Sequence, residues 1–287
     1  MIKDLLNGTK TTLSFEVFPP KKEDGFPSVY NVLDSLAGLA PDFISCTYGA
    51  GGSRSGKTVE IASYIQNRLH IDAIAHITCV GFKKADLAKN CKLLQEEGLR
   101  HVLALRGDRP KTMTDEQYND REFYYASDMI RHLKESDTDF TIAGACYPEK
   151  HFESANIEED LTHLKEKVDS GAEFLITPMF FDNAVFYRFM EKAAAAGINV
   201  PVCAGIMPIT SAKQLGTTVT LSGSSIPKEL SDLIAAYGEQ PEEMRKAGID
   251  YAIRQINNLK THGVDGIHIY SMNRSKTTAQ ITKAAGF

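Results

Sequence analysis

No stretch of the 287 residues approaches 18 consecutive apolar positions, and the opening MIKDLLNGTK has no apolar core of signal-peptide length. The expectation is a protein that stays in the cytoplasm and has no membrane partner. No block of like charge occurs and the net charge is -5, so the clustered positive field that nucleic acid or an anionic membrane surface requires is missing. Cysteines are few: five, an odd number, widely spaced and without a C-x-x-C pair. Cys46, Cys79, Cys91, Cys146 and Cys203 therefore read as reduced thiols, mostly filling the core, and neither a disulfide frame nor a metal site is expected.

What is present is alternation. With 43% hydrophobic and 24% charged residues the chain has ordinary globular composition and enough apolar mass for a large core. Short apolar runs read as strands over residues 13–18, 42–48, 73–80, 101–105, 140–147, 174–177, 200–206 and 266–270. Segments with helical spacing follow them, over residues 29–39, 59–69, 87–97, 123–133, 157–168, 186–196, 228–237 with 244–259, and 277–285. Runs such as HVLAL at 101–105 are apolar throughout, as in strands covered on both faces. Pro201 must stand near the start of its strand, where its missing N–H costs no rung.

Strand followed by helix, repeated, implies right-handed crossovers and a parallel sheet. Eight repeats in this length, with no composition break to mark a linker, predict an α/β fold, one (β/α)8 TIM barrel spanning residues 1–287. An open doubly wound sheet is the alternative.

A barrel puts its chemistry at the C-terminal ends of the strands. Glu16 is the conspicuous residue there, a carboxylate inside the apolar run LSFEVF, either pointing to water from an edge strand or held in a site. Polar residues end the other strands as well: Thr47 and Tyr48 ahead of Ala50, then His76, Arg106 and Asp108 around Gly107, Tyr147, and His268 with Tyr270 and Arg274. Arg106 and Asp108 bracket a glycine that lets a ligand approach the backbone, with guanidinium suited to phosphate and carboxylate to a developing cation; a surface turn with an incidental ion pair is the plain alternative. Asp160 and Lys167, seven apart on one helix, border its apolar stripe and either reach over the barrel mouth or lie solvated. GGSRSGKT at residues 51–58 competes with all of this, because it satisfies the phosphate-loop pattern of a nucleotide hydrolase. It explains neither Glu16 nor the eightfold alternation.

Taken in order, SFEVFPPK at 14–21, CTYGAGGS at 46–53, AHITC at 75–79, ALRGD at 104–108, YASD at 125–128 and YPEKH at 147–151 resemble segments of methylenetetrahydrofolate reductase. MFFDN at 179–183, AGIMPI at 204–209 and HIYSMNR at 268–274 continue the resemblance across nearly the whole chain. The resemblance is to the bacterial-type catalytic barrel, an FAD-dependent oxidoreductase of one-carbon metabolism and methionine biosynthesis that takes electrons from NADH or NADPH. It implies Glu16 as general acid and Asp108 as a second catalytic residue. It implies flavin contacts at Thr47, Tyr48, Ala50, His76, Arg106, Gly107, Asp108, Ala126, Tyr147, His151, Asp160 and Lys167, and substrate contacts at Glu16, Asp108, Gln214 and Arg274. A homo-oligomer and a protein electron donor are compatible with it.

Two departures stand out. Pro178 occupies the end of strand six, where the family usually has a glutamine that hydrogen-bonds the pterin. Residues 213–225 are polar where some relatives place an aromatic against the nicotinamide.

Overall fold

The computed structural model describes residues 2–20, 22–48, 55–110, 113–136 and 138–287, the side chains of 55, 217 and 219–222 apart. Eight parallel strands form a closed barrel in sequence order: β1 Thr12–Val17, β2 Phe43–Cys46, β3 Asp72–Thr78, β4 His101–Leu105, β5 Thr141–Ala145, β6 Phe174–Met179, β7 Val202–Ile206 and β8 Gly266–Tyr270. β1 pairs with both β2 and β8, aligning Glu16 with Ser45 on one side and Tyr270 on the other. That closure rules out the open sheet.

Helices cover the outside, among them Phe26–Ala37, Lys84–Glu96, Ala126–Glu135, Ile157–Asp169, Asn183–Ala195, Pro241–Thr261 and Ser275–Ala284. Their apolar faces and the outward residues of the strands make the largest core cluster, which includes Phe15, Ile44, Leu33, Ile142 and Phe189. A helix over Ile2–Leu6, not anticipated from the sequence, closes the N-terminal end of the barrel. Ile2 and Leu6 pack on Phe43, Ile74, Leu103 and Phe174 and are almost wholly buried. Burial of this extent stabilises by roughly 1.5–3 kcal/mol per side chain.

Ala212–Ser222, within the polar stretch and not among the helices read from the sequence, is helical, and a loop follows it over residues 223–227. Local capping accounts for its start: Gln214 N–H donates to Ser211 Oγ at 3.2 Å, and the Gln214 amide oxygen takes Thr210 N–H at 3.0 Å.

Strand six runs two residues further than its apolar run, through Pro178, and its register with β7 shifts between Ile176 and Met179. Proline cannot supply the missing rung. Thr177 bridges the gap with its hydroxyl, which accepts from Gly205 N at 2.8 Å and donates to Pro178 O at 2.8 Å. A side chain at Gly205 would begin 2.3 Å from Thr177 O, so the bulge requires glycine opposite. Pro201 stands just before β7, its carbonyl accepting from Leu175 N at 2.8 Å.

Candidate active site

Above the apolar plug the inward residues turn polar. Ser14 and Glu16, two apart on β1, face the same interior, as the period of a strand dictates. Glu16 Oε2 lies 3.6 Å from His76 Nε2 and 3.7 Å from His268 Nε2, and among the described residues no hydrogen bond reaches its carboxyl. The carboxyl is 18% exposed, so it is neither an edge residue in water nor a sealed core group.

His268 is wholly buried, stacked on Phe43 at 5.9 Å, with Nδ1 2.7 Å from Ser14 Oγ and Nε2 3.4 Å from Ser45 Oγ. Ser14 also donates to Ile267 O at 3.3 Å. Those two hydroxyls hold the ring on both edges. His76 is held differently: burial drives its pKa down to about 4, against the pull of Glu16 and with the repulsion of His268, so it is neutral at neutral pH. Its Nε2 is buried and, among the described residues, has no hydrogen-bond partner. Tyr270 sits edge-on to His268 and donates to Thr177 O at 2.7 Å.

Nearly half a turn around the barrel from Glu16 lies a cavity of about 180 Å³ between the ends of β4 and β5 and two helices. It gathers six of the expected flavin contacts, Arg106, Ala126, Tyr147, His151, Asp160 and Lys167. The Arg106 guanidinium pairs with Glu153 through both terminal nitrogens, Nη2 to Oε1 at 3.0 Å, and not with Asp108. Glu153 is thereby held below the usual carboxylate range. Asp160 is buried; its carboxylate accepts from His151 N at 3.1 Å and Ser154 Oγ at 2.9 Å. Lys167 lies under β5 and donates to Ala145 O; loss of solvent lowers its pKa, and burial also lowers that of His151. Burial pushes the Tyr147 phenol up to about 12. Asp160 and Lys167 thus belong to the cavity wall and are not a solvated pair.

Thr47 and Tyr48 follow β2, Gly107 and Asp108 follow β4 with Asp108 exposed, and none of the four lines that cavity. Gly107 has φ of +79°, and a Cβ there would meet Thr78 Cβ at 2.8 Å, so crowding by β3 demands glycine as much as ligand approach does. Gln214 and Arg274 meet through Thr210, whose hydroxyl donates to Gln214 Oε1 at 3.0 Å and accepts from Arg274 Nη1 at 2.9 Å. Ala50 lies outside the described residues, as do 51–54 of the phosphate-loop motif. Thr58, the residue that would ligate a metal in such a loop, instead donates its buried hydroxyl to Thr47 O at 3.1 Å.

Sequence reasoning missed Ser14, Ser45, Tyr125, Glu153 and His163. Ser14 carried a usable signal, being two residues from Glu16 on one strand. Tyr125 stacks on His163 at 4.9 Å on the cavity wall, a pairing 38 residues apart that only the fold creates. All five cysteines are free and buried. Among the described residues no group of three or more His, Cys, Asp or Glu is arranged to hold a metal ion, and no helix is long and apolar enough to cross a membrane.

Fold and site together define a (β/α)8 barrel with a carboxyl group between two imidazoles at its mouth and, across the barrel, a cavity lined by paired charged groups. The methylenetetrahydrofolate reductase family model matches residues 1–286, and the chain belongs to that family of oxidoreductases. The 5,10-methylenetetrahydrofolate reductase of Pectobacterium carotovorum is 33% identical over 277 residues, 96% of this chain and 91% of that protein. The one from Escherichia coli (strain K12) is 33% identical over 274 residues, 96% and 90% of the two chains. Methylenetetrahydrofolate reductase 1 of Schizosaccharomyces pombe is 36% identical over 279 residues; the match covers 96% of this chain but 46% of the yeast protein. The chain thus spans about half of the yeast relative and most of the bacterial ones. Among solved structures, a Clostridium thermocellum protein described as binding two copies of 5-methyl-5,6,7,8-tetrahydrofolic acid has a TM-score of 0.69 at 17% identity, covering 99% of this chain and 96% of that one. That likeness is one of fold.

Proposed function

We propose that this chain works in the cytoplasm and reduces 5,10-methylenetetrahydrofolate to 5-methyltetrahydrofolate, with FAD as its bound cofactor and NADH or NADPH as electron donor. The observation that carries the reading is Glu16: an accessible carboxyl with no hydrogen bond of its own among the described residues, set between two buried imidazoles at the catalytic end of the barrel. Family membership supplies the reaction, and the site supplies a group for its proton.

The residues present fit a flavin dinucleotide. Among the described residues the buried Nε of Arg106 and the buried Nε2 of His76 have no hydrogen-bond partner, and the start of the Ala126–Glu135 helix opens on the cavity through Ala126 and Ser127. A helix start and a guanidinium are both suited to a diphosphate. Arg106, Ala126, Tyr147, His151, Asp160 and Lys167 would hold the cofactor on one side, with Thr47, Tyr48, His76, Gly107 and Asp108 on the other. Bound flavin would accept a hydride from the nicotinamide and deliver it to the folate.

The chain's own part is proton transfer and charge placement. Glu16 gives its proton to the nitrogen that departs when the five-membered ring of the substrate opens. His76, neutral at working pH, presents Glu16 with no imidazolium charge that would favour early loss of its proton, while Ser14 and Ser45 fix the His268 ring beside it. Asp108 at the rim places a negative charge against the cation formed on the opened ring. Gln214 and Arg274, joined through Thr210, form the substrate side.

The test is spectroscopic. The purified full chain is expected to be yellow, to bleach anaerobically with NADH or NADPH, and to recover its colour when 5,10-methylenetetrahydrofolate is added. A colourless chain that takes up no FAD overturns the reading. A yellow chain that bleaches with dithionite but with neither nucleotide assigns the electrons to a partner protein, a reading favoured by the helix Ala212–Ser222, whose sequence AKQLGTTVTLS has no aromatic.

A further inference from the structure

Arg106 leaves β4 and lines the cavity beside Tyr147 and Lys167. Both terminal nitrogens of its guanidinium are taken by the Glu153 carboxylate. A carboxylate held in this two-pronged way presents to arginine the same pair of oxygens that a phosphate does. The other charged groups of the wall already have partners from their own surroundings. Lys167 donates to Ala145 O, and Asp160 takes His151 N–H and the Ser154 hydroxyl. Glu159 accepts Ala155 N–H at 2.5 Å.

The backbone around Glu153 is secured without the ion pair. Lys150 Nζ donates to Ser154 O at 2.7 Å, Ser154 N–H to His151 O at 3.0 Å, and Glu153 N–H to His151 Nδ1 at 3.2 Å. The Glu153 side chain itself is 49% exposed, against 20% for Arg106. Rotation about its own bonds therefore carries the carboxylate into water while the loop stays in place. An ion pair with one partner so exposed separates at small cost.

We propose that Glu153 is a built-in competitor for the anion seat of this cavity: its carboxylate holds Arg106 until the diphosphate of a dinucleotide cofactor replaces it. The proposal rests on the flavin reading above. Exchange of one anion for another keeps the arginine paired throughout, and the displaced carboxylate, now beside a phosphate of like charge, weakens retention of the cofactor.

The experiment follows release of flavin from the purified, FAD-loaded full chain on dilution, by the rise of its fluorescence, to give a dissociation constant. Glu153→Gln is expected to tighten FAD about fivefold, the size of an exposed ion pair. Glu158→Gln, which removes a nearby charge paired with Lys192 and not with Arg106, is expected to leave affinity unchanged within about twofold. In an Arg106→Ala chain, the gain from Glu153→Gln is expected to fall to about twofold or less, what like-charge repulsion alone leaves at an exposed site. Unchanged or weaker FAD binding by Glu153→Gln overturns the proposal, as does an equal gain from Glu158→Gln. If the wild-type chain binds no FAD, the flavin reading fails separately; inorganic pyrophosphate titrated by calorimetry then reads the same competition, and equal affinity of wild type and Glu153→Gln for it overturns the proposal.

Discussion

Glu16 and Glu153 are two carboxylates facing nitrogen across one barrel mouth, and their surroundings differ in almost every respect. Glu16 is on a strand paired on both sides, its carboxyl 3.6 and 3.7 Å from two imidazoles and without a hydrogen bond among the described residues. Glu153 is on a loop, half exposed, with both oxygens on a guanidinium. The first is rigidly placed and chemically free; the second is movable and chemically committed. A proton donor needs a fixed position and an available proton, whereas a group that yields to a ligand needs a partner and freedom to leave. The two roles could not be exchanged between these sites.

The largest test replaces the proposed proton donor. Glu16→Gln is expected to lower the rate of folate reduction by about 10²–10⁴-fold while flavin reduction by the nicotinamide stays near wild type. Equal losses in the two half-reactions would erase the distinction between the two carboxylates. Next in size is the acid response of His76. Its folded pKa of about 4 lies below the ordinary imidazole value of about 6.5, so as pH falls through that interval the unfolded chain binds a proton that the folded chain refuses. Stability is thus highest above pH 6.5 and falls toward pH 4, by on the order of 3 kcal/mol from this group. Urea midpoints across that range should show a shallower slope in His76→Gln.

A smaller change is expected in the cavity. Arg106→Ala should weaken FAD by roughly 1.5–3 kcal/mol, about tenfold to a hundredfold, and the variant should purify pale; a fully yellow variant would remove Arg106 from the anion seat. Smallest is Pro178→Gln. If an amide at the end of β6 reaches the pterin, folate binding tightens by about 1 kcal/mol, close to fivefold, measured as the dissociation constant of the substrate. Unchanged affinity would mean that the bulge, already bridged by Thr177, directs position 178 away from the ring.

All eight strands are legible in the sequence because each is a short apolar run between polar turns, and Glu16 is legible because it interrupts one. Boundaries fail where hydrogen bonding departs from hydrophobicity, as at Pro178, where the ladder continues past a residue that cannot donate. The Ala212–Ser222 helix escapes notice since Thr217, Thr218, Val219 and Thr220 are β-branched and disfavour it, while Ser211 and Gln214 secure its first turn. In the site, residues that act through their own strand position can be read in advance. Glu153 cannot, because an exposed loop carboxylate acquires meaning only from an arginine 47 residues away.

The seam between β1 and β8 bears on how the chain is made. Ser271 donates to Glu16 O at 2.6 Å from its hydroxyl and at 3.2 Å from its N–H, and Asn273 exchanges hydrogen bonds with Phe18. The strand that bears Glu16 is synthesised well ahead of the segment that covers its second edge, Ser271 lying 255 residues further along the chain. On the ribosome, β1 and β7 both remain open to foreign strands until β8 emerges, and Glu16 acquires His268 at the same moment. Assembly of the Glu16 site and protection from aggregation therefore arrive in one step, when β8 joins the sheet.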